Sequence, residues 1–375
     1  MPGRMLPAYE VDASFSSRGP AAMKWLLPTQ PVALPGRLSH LVAVAEAGNN
    51  RISLLSTSGH FHRAIAAPMN AVAHSDRPLR YPMGVAVGEE DAETVVVADT
   101  HNHRLLRLRL IDGRPIANAT AGRRHFGAPL TSLRYPKALA AHHSHEWPPY
   151  GRFPILYVPD ALNHRVCAFA LGPTSPSATL ALPGPVSSAS GGQMVPLLCF
   201  GQAGSGATDL DHPSAVAMAT LRDGLHIFVA DTYHDRISEW MFKRDTTTYV
   251  HVRNIAGATP GTAAPGAFRW PVGVAVLPSP SLRAEAAHLF VTESTGRRAQ
   301  VLTANGSPLQ VLIPPYTSPM AGRLGGVCVA TLKNHDWSSE SHRLVVVSRE
   351  HHKLFVYRRK QSPSPFTWKP GYRVG

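Results

Sequence analysis

The sequence predicts an all-β fold: a six-bladed β-propeller of four-stranded antiparallel blades, closed by an N-terminal strand in the last blade. Three observations point there. A polar phrase recurs six times, a proline-centred phrase recurs upstream of it, and short β-branched or alternating runs fill the intervals. The clearest polar copies are Ala98-Asp99-Thr100-His101-Asn102-His103-Arg104-Leu105 and Pro159-Asp160-Ala161-Leu162-Asn163-His164-Arg165-Val166. Looser copies carry Glu46, Asn49 and Arg51; Asp231, His234 and Arg236; Glu293, Gly296 and Arg298; and Ser348, His351 and Lys353. The basic residues stand at 51, 104, 165, 236, 298 and 353, so the gaps are 53, 61, 71, 62 and 55 residues. A supersecondary unit repeated at near-constant period specifies a propeller or solenoid.

The upstream phrase reads Tyr81-Pro82-Met83-Gly84-Val85-Ala86-Val87, Tyr135-Pro136-Lys137-Ala138-Leu139-Ala140, His212-Pro213-Ser214-Ala215-Val216-Ala217 and Trp270-Pro271-Val272-Gly273-Val274-Ala275-Val276. Gly325-Gly326-Val327 lacks the proline, and Pro31-Val32-Ala33-Leu34 reads as a worn first copy. Runs such as Thr94-Val95-Val96-Val97 and Leu105-Leu106-Arg107-Leu108-Arg109-Leu110 supply the next strands, with Pro, Gly, Asn and Asp between them. In the turn, the acid is expected to accept backbone N–H groups. The Asn three residues later, or Gly296, is expected to take positive φ, and the Arg to reach back to the acid.

The pairing of Pro-x-Gly-Val-Ala-Val with Val-x-Asp-x-x-Asn-His-Arg-Ile resembles NHL repeats, over about residues 31–357. Asp99, Asn102, Arg104, Asp160, Asn163 and Arg165 match the polar positions outright. The blade-four copy has His234 and Asp235 for Asn-His, and the last copy has Ser348, His351 and Lys353 for Asp, Asn and Arg. The resemblance implies a partner-recognition propeller. Such propellers serve as substrate-binding parts of ubiquitin ligases, and three cysteines cannot supply a RING within these residues.

Nothing after Tyr357 reads as a fourth strand, whereas Met23-Lys24-Trp25-Leu26-Leu27-Pro28 does. Residues 22–27 are therefore expected to complete the sixth blade and close its edge. The organisation that follows is an unstructured extension at 1–21, a propeller at 22–358 with a mobile insertion at about 172–193, and a tail at 359–375. Other insertions (141–154, 278–287 and 331–342) fall on the face opposite the polar turns.

Composition narrows the function. No apolar run reaches the ~18 residues of a membrane span. Cys167, Cys199 and Cys328 are too few and scattered for a disulfide framework, so free thiols, no disulfides and an intracellular, cytoplasmic location are expected, with a mitochondrial one as the alternative. The net charge of +13 invites an RNA reading, but 30 of the 37 basic residues are Arg and Ala and Pro abound, the signature of a GC-rich genome.

The polar-turn face gathers the binding candidates His101, His103, Arg104, Arg123, Arg124, Arg134, Tyr233, His234 and Arg236. His142, His143 and His145 form a weak metal cluster in one loop. The residues after the prolines (Met83, Lys137, Ser214, Val272) bring no carboxylate or imidazole to the bore, so neither catalytic residues nor a cofactor are expected. The leading expectation is a non-enzymatic module that binds protein partners. The alternatives are an RNA-binding propeller and a metal-dependent lyase or lactonase-like enzyme.

Overall fold

The computed structural model describes residues 9–16, 26–56, 60–65, 78–88, 93–116, 130, 132–142, 153–172, 180–181, 188–189, 192–256, 264–313, 323–333, 340–349 and 353–359. Six antiparallel sheets follow one another round a ring, with no α-helix among the described residues. From the hub outward, blade 1 runs Pro28–Ala33, Leu41–Glu46, Arg51–Ser56 and Phe61–Ile65. Blade 2 runs Gly84–Ala86, Thr94–Asp99 and Arg104–Arg109, with a lone bridge from Leu108 to Pro115 where a fourth strand would stand. Blade 3 is Ala140–His142, Ile155–Asp160, Arg165–Leu171 and Met194–Phe200. Blade 4 is Pro213–Leu221, Gly224–Asp231, Arg236–Lys243 and Thr248–Ile255. Blade 5 is Pro271–Leu277, His288–Glu293, Ala299–Thr303 and Pro308–Leu312. Blade 6 is Leu324–Lys333, Glu340–Ser348 and Lys353–Arg359, with Tyr9–Ser16 as its outer strand.

The core is six cores, one per seam. Strand alternation sends Val95 and Val97 to blade 1, and Val96 and Ala98 to blade 3. The same division recurs at every seam, ending where Val42 and Val44 meet Val345 and Val347 between blades 1 and 6. Each blade is buried on both sides, which accounts for β-branched runs without polar interruption.

Closure by the N-terminus holds, but by a different segment. Tyr9–Ser16 pairs antiparallel with Lys353–Arg359, from Tyr9 opposite Arg359 to Ser16 opposite Lys353. The Tyr-Glu-Val-Asp-Ala-Ser-Phe-Ser alternation is the strand signal, and it lies inside the stretch expected to be unstructured. Of residues 22–27, only Leu26 and Leu27 fall in the described set, and they lead into blade 1: their carbonyls accept Gly48 N–H at 3.0 Å and Ala47 N–H at 3.1 Å. The first copy of the proline phrase therefore starts at Pro28, paired with Glu46 as Pro213 is with Asp231, and not at Pro31.

Two insertions are less irregular than expected. Leu180–Ala181 pairs with Ser188–Ala189 inside 172–193, and strands Leu324–Lys333 and Glu340–Ser348 extend into 331–342. Cys167 and Cys199 are bonded, contrary to the expectation of no disulfides. They face one another across neighbouring strands of blade 3, a register that scattered sequence positions conceal. Free thiols, the premise for a reducing compartment, thus hold only for the buried Cys328. No helix among the described residues is long and apolar enough to cross a membrane.

Candidate functional site

The six polar turns open on one face, and five of them are built on a buried acid. Asp99 Oδ1 accepts Arg80 N–H at 2.7 Å, while Oδ2 takes Asn102 Nδ2 at 2.9 Å and Arg104 Nε at 2.7 Å. Asp160 repeats this with the Arg134 N–H, Asn163 and Arg165. Asp231 does so with the Asp211 N–H, His234 and Arg236, and Glu293 with the Arg269 N–H, Arg298 and Gln300. Glu46 holds Asn49, Arg51 and Ser53. A further bond closes all six turns. A residue in each turn donates its N–H to a carbonyl ahead of the blade's inner strand: Gly48 to Leu26, His101 to Arg80, Leu162 to Arg134, Tyr233 to Asp211, Gly296 to Arg269 and Arg349 to Arg323. Burial pushes the Asp160 and Glu293 carboxyls up, with hydrogen bonds pulling the other way.

Positive φ falls one residue later than the sequence suggested. It belongs to Asn50, His103, His164, Asp235 and Arg297, at 51–55°. The Asn at the earlier position serves instead as a side-chain donor to the acid. Gly296 is glycine because a Cβ there would meet Glu293 Oε2 at 2.1 Å.

The basic rim is therefore largely internal. Arg104 and Arg236 are bound to Asp99 and Asp231, and Arg236 also donates to the carbonyls of Gly206 and Asp209. The Arg134 backbone N–H is held by Asp160. Arg123, Arg124, His143 and His145 lie outside the described residues. His142 is described, but it faces the opposite mouth, with Nε2 at 3.5 Å from Thr220 Oγ1. Lys353 pairs in register with Ser348, which stands where the other turns have their acid.

What the sequence reading missed is an aromatic arc. The residue before each proline takes positive φ (Tyr81, Tyr135, His212 and Trp270, at 51–56°) and lies on the turn face. Tyr81 stacks on His101 at 4.4 Å, and Tyr135 contacts both His101 and His103. His164 meets His212, His212 meets Tyr233 at 4.3 Å, and Tyr233 meets Trp270 at 5.2 Å. Tyr233 is 49% exposed and Trp270 40%. The legible signal was an aromatic or imidazole ring before proline in four copies.

At the hub, small residues bring the inner strands together. A Cβ on Gly84 would meet the Lys137 carbonyl at 2.2 Å, and Ala138 bridges Ala215. Gln30 crosses this neck: its Oε1 accepts the N–H groups of Val85 and Leu139 at 2.9 Å each, and Nε2 donates to Leu139 O at 2.6 Å. Above it, Arg349 of blade 6 reaches past blade 1 to the Tyr81 hydroxyl at 3.3 Å, and its buried Nε has no partner among the described residues. Lys137 comes in from blade 3, and burial together with the Arg349 charge lowers its pKa to about 8. Neither forms an ion pair with a described residue, so among the described residues their positive charge is uncompensated. Below the neck, a cavity of about 500 Å³ opens on the opposite face, lined by Val, Ala and Pro with Cys328 and His142.

No known family and no curated protein matches this sequence, so the NHL resemblance has no family match behind it. Solved structures do match. An auxiliary nutrient binding protein from Bacteroides thetaiotaomicron is 10% identical, with a TM-score of 0.54 over 90% of this chain and 70% of its own. A calcium-binding regucalcin from Agrobacterium tumefaciens is 12% identical, with a TM-score of 0.52 over 93% and 95%. A streptogramin B lyase is 11% identical, with a TM-score of 0.50 over 95% and 99%. At these identities the likeness establishes the six-bladed propeller and nothing of its chemistry.

Proposed function

We propose that the protein is a non-enzymatic recognition propeller whose turn face docks a protein partner presenting acidic groups to the hub. The observations that carry this are the exposed Tyr233–Trp270 pair on the turn face and, over the hub at Tyr81, the cations Lys137 and Arg349, which have no carboxylate partner among the described residues. Aromatic side chains held rigid by their neighbours are the usual anchors of protein interfaces, at about 2 kcal/mol or more each. The resemblance to NHL repeats supports the same role, including service as the recognition part of a ubiquitin-ligase assembly whose catalytic part lies on another chain. RNA is the weaker reading because Arg51, Arg104, Arg165, Arg236 and Arg298 already serve buried acids. The neighbours named as a lyase and as binding proteins leave catalysis to be tested separately.

The test is quantitative capture of partners from the native cell with the wild type and with Tyr233→Ala/Trp270→Ala. The account expects a defined protein to be lost at least tenfold with the double variant and also with Lys137→Met/Arg349→Met. Undiminished capture by both would refute it. An RNA ligand would show itself as nuclease-sensitive capture that weakens with salt at a slope near −0.7 per phosphate.

A further inference from the structure

The seam between blades 3 and 4 departs from three other seams at two of the side chains that meet there. Three positions meet at each seam: the left-handed residue that ends a turn, the residue whose N–H reaches the next blade's acid, and the residue before the strand. They read Asn50, Arg80 and Tyr81 between blades 1 and 2, and His103, Arg134 and Tyr135 between blades 2 and 3. Between blades 4 and 5 they read Asp235, Arg269 and Trp270. Between blades 3 and 4 they are His164, Asp211 and His212. A carboxylate replaces arginine, and both flanks are imidazoles.

The hydrogen bonding changes with them. At those three seams the left-handed side chain accepts a backbone N–H from the residue before the proline: Asn50 Oδ1 from Tyr81 at 2.7 Å, His103 Nδ1 from Tyr135 at 3.2 Å and Asp235 Oδ1 from Trp270 at 2.7 Å. His164 Nδ1 is buried and accepts none among the described residues. It lies 3.2 Å from Asp211 Oδ1, too far out of line to count as a hydrogen bond, while His212 Nδ1 approaches the same oxygen to 2.7 Å. One ligand atom from each of His164, Asp211 and His212 lies within 4.8 Å of the other two.

The donors are also held in place. Asp211 N–H donates to Asp231 Oδ1 at 2.6 Å and its carbonyl accepts Tyr233 N–H at 3.2 Å. Side-chain exposures of 26%, 34% and 25% for His164, Asp211 and His212 leave a path from solvent.

We propose that His164 Nδ1, Asp211 Oδ1 and His212 Nδ1 form a transition-metal site that takes Zn²⁺, with water or a partner's side chain as fourth ligand. Zinc–ligand distances of about 2.0–2.2 Å in a tetrahedron place donors about 3.3–3.5 Å apart, so small rotamer adjustments suffice. Two imidazoles and one carboxylate suit Zn²⁺ and Co²⁺, and lack the oxygen count that Ca²⁺ requires. The site is independent of the partner-docking reading, since it needs only this seam.

Other histidines could bind metal, so the test is comparative. Co²⁺ and then Zn²⁺ are titrated into the metal-stripped full chain, into Asp211→Arg, and into His164→Asn/Asp211→Arg/His212→Tyr, which installs the residue types of the blade 1–2 seam. The wild type should take one Co²⁺ equivalent with visible d–d absorption that Zn²⁺ abolishes, and its Tm should rise with Zn²⁺. Both variants should lose that equivalent, with affinity down at least 100-fold and Tm in chelator within a few degrees of wild type. Identical Co²⁺ spectra and stoichiometry in all three proteins would overturn the proposal. Should the variants not fold, zinc-edge anomalous diffraction from wild-type crystals decides: a peak at this seam sustains the site, and no peak there refutes it.

Discussion

Blades 3 and 6 build the same turn by different means. In blade 3 the buried Asp160 gathers a backbone N–H, Asn163 and Arg165. In blade 6 a buried serine, Ser348, stands in the acid's place and Lys353 in the arginine's, opposite it in register. Blade 6 has instead the strand Tyr9–Ser16, which ties the two ends of the chain together. The position after the acid, Thr100 in blade 2 and Thr232 in blade 4, hydrogen-bonds the next blade's carbonyl; in blade 6 it is Arg349, which extends over the hub. The contrast teaches that the acid is a mechanical tie. Where another tie exists, the turn is free to carry an unpaired charge.

Substitutions can break or sharpen this contrast. The largest effect should come from deleting residues 1–17, which exposes the edge of Lys353–Arg359 and should cost about 5 kcal/mol or more in urea unfolding, with aggregation. Asp160→Ala strands Arg165 in a nearly buried position and should cost about 3–5 kcal/mol, against less than about 1 kcal/mol for Ser348→Ala. Cys167→Ser/Cys199→Ser opens a cross-link between residues 32 apart and should cost about 3–4 kcal/mol on the chain-entropy account; reductant should mimic it in the wild type and do nothing to the variant.

The smallest effect concerns pH. Buried His226 lies between Glu239 at 2.7 Å and Asp223 at 2.9 Å, with Arg253 on the far oxygen of Glu239. Burial opposes its protonation, but the two carboxylates outweigh it and raise its pKa above 6.5. The raised pKa contributes stability that is complete below pH 6.5 and fades as pH rises through the folded value. The wild-type Tm should therefore fall by a few degrees on the alkaline side, and His226→Gln should flatten that slope.

The turn phrase made the fold legible, because a buried acid with its Asn and Arg must lie within one turn and repeats with the blade. Closure was legible as a need, but Met23–Leu27 is more hydrophobic than Tyr9–Ser16 and drew the assignment away from the alternating segment that pairs. The left-handed position was displaced by one residue because Asn102 is held as a donor to Asp99, leaving His103 to reverse the chain. The seam of His164, Asp211 and His212 could not be seen at all: its members are up to 48 residues apart and meet only when blades 3 and 4 pack. The Cys167–Cys199 bond escaped notice for the same reason, since it depends on strand register.

The recognition claim is tested most directly by hydrogen exchange on the protein in complex with the captured partner. The account predicts protection at residues 232–235 and 268–271 and across the hub at 135–138, with 278–287 on the opposite face unchanged. Protection confined to 278–287 and the mouth of the apolar cavity, with the turn face exchanging freely, would contradict it.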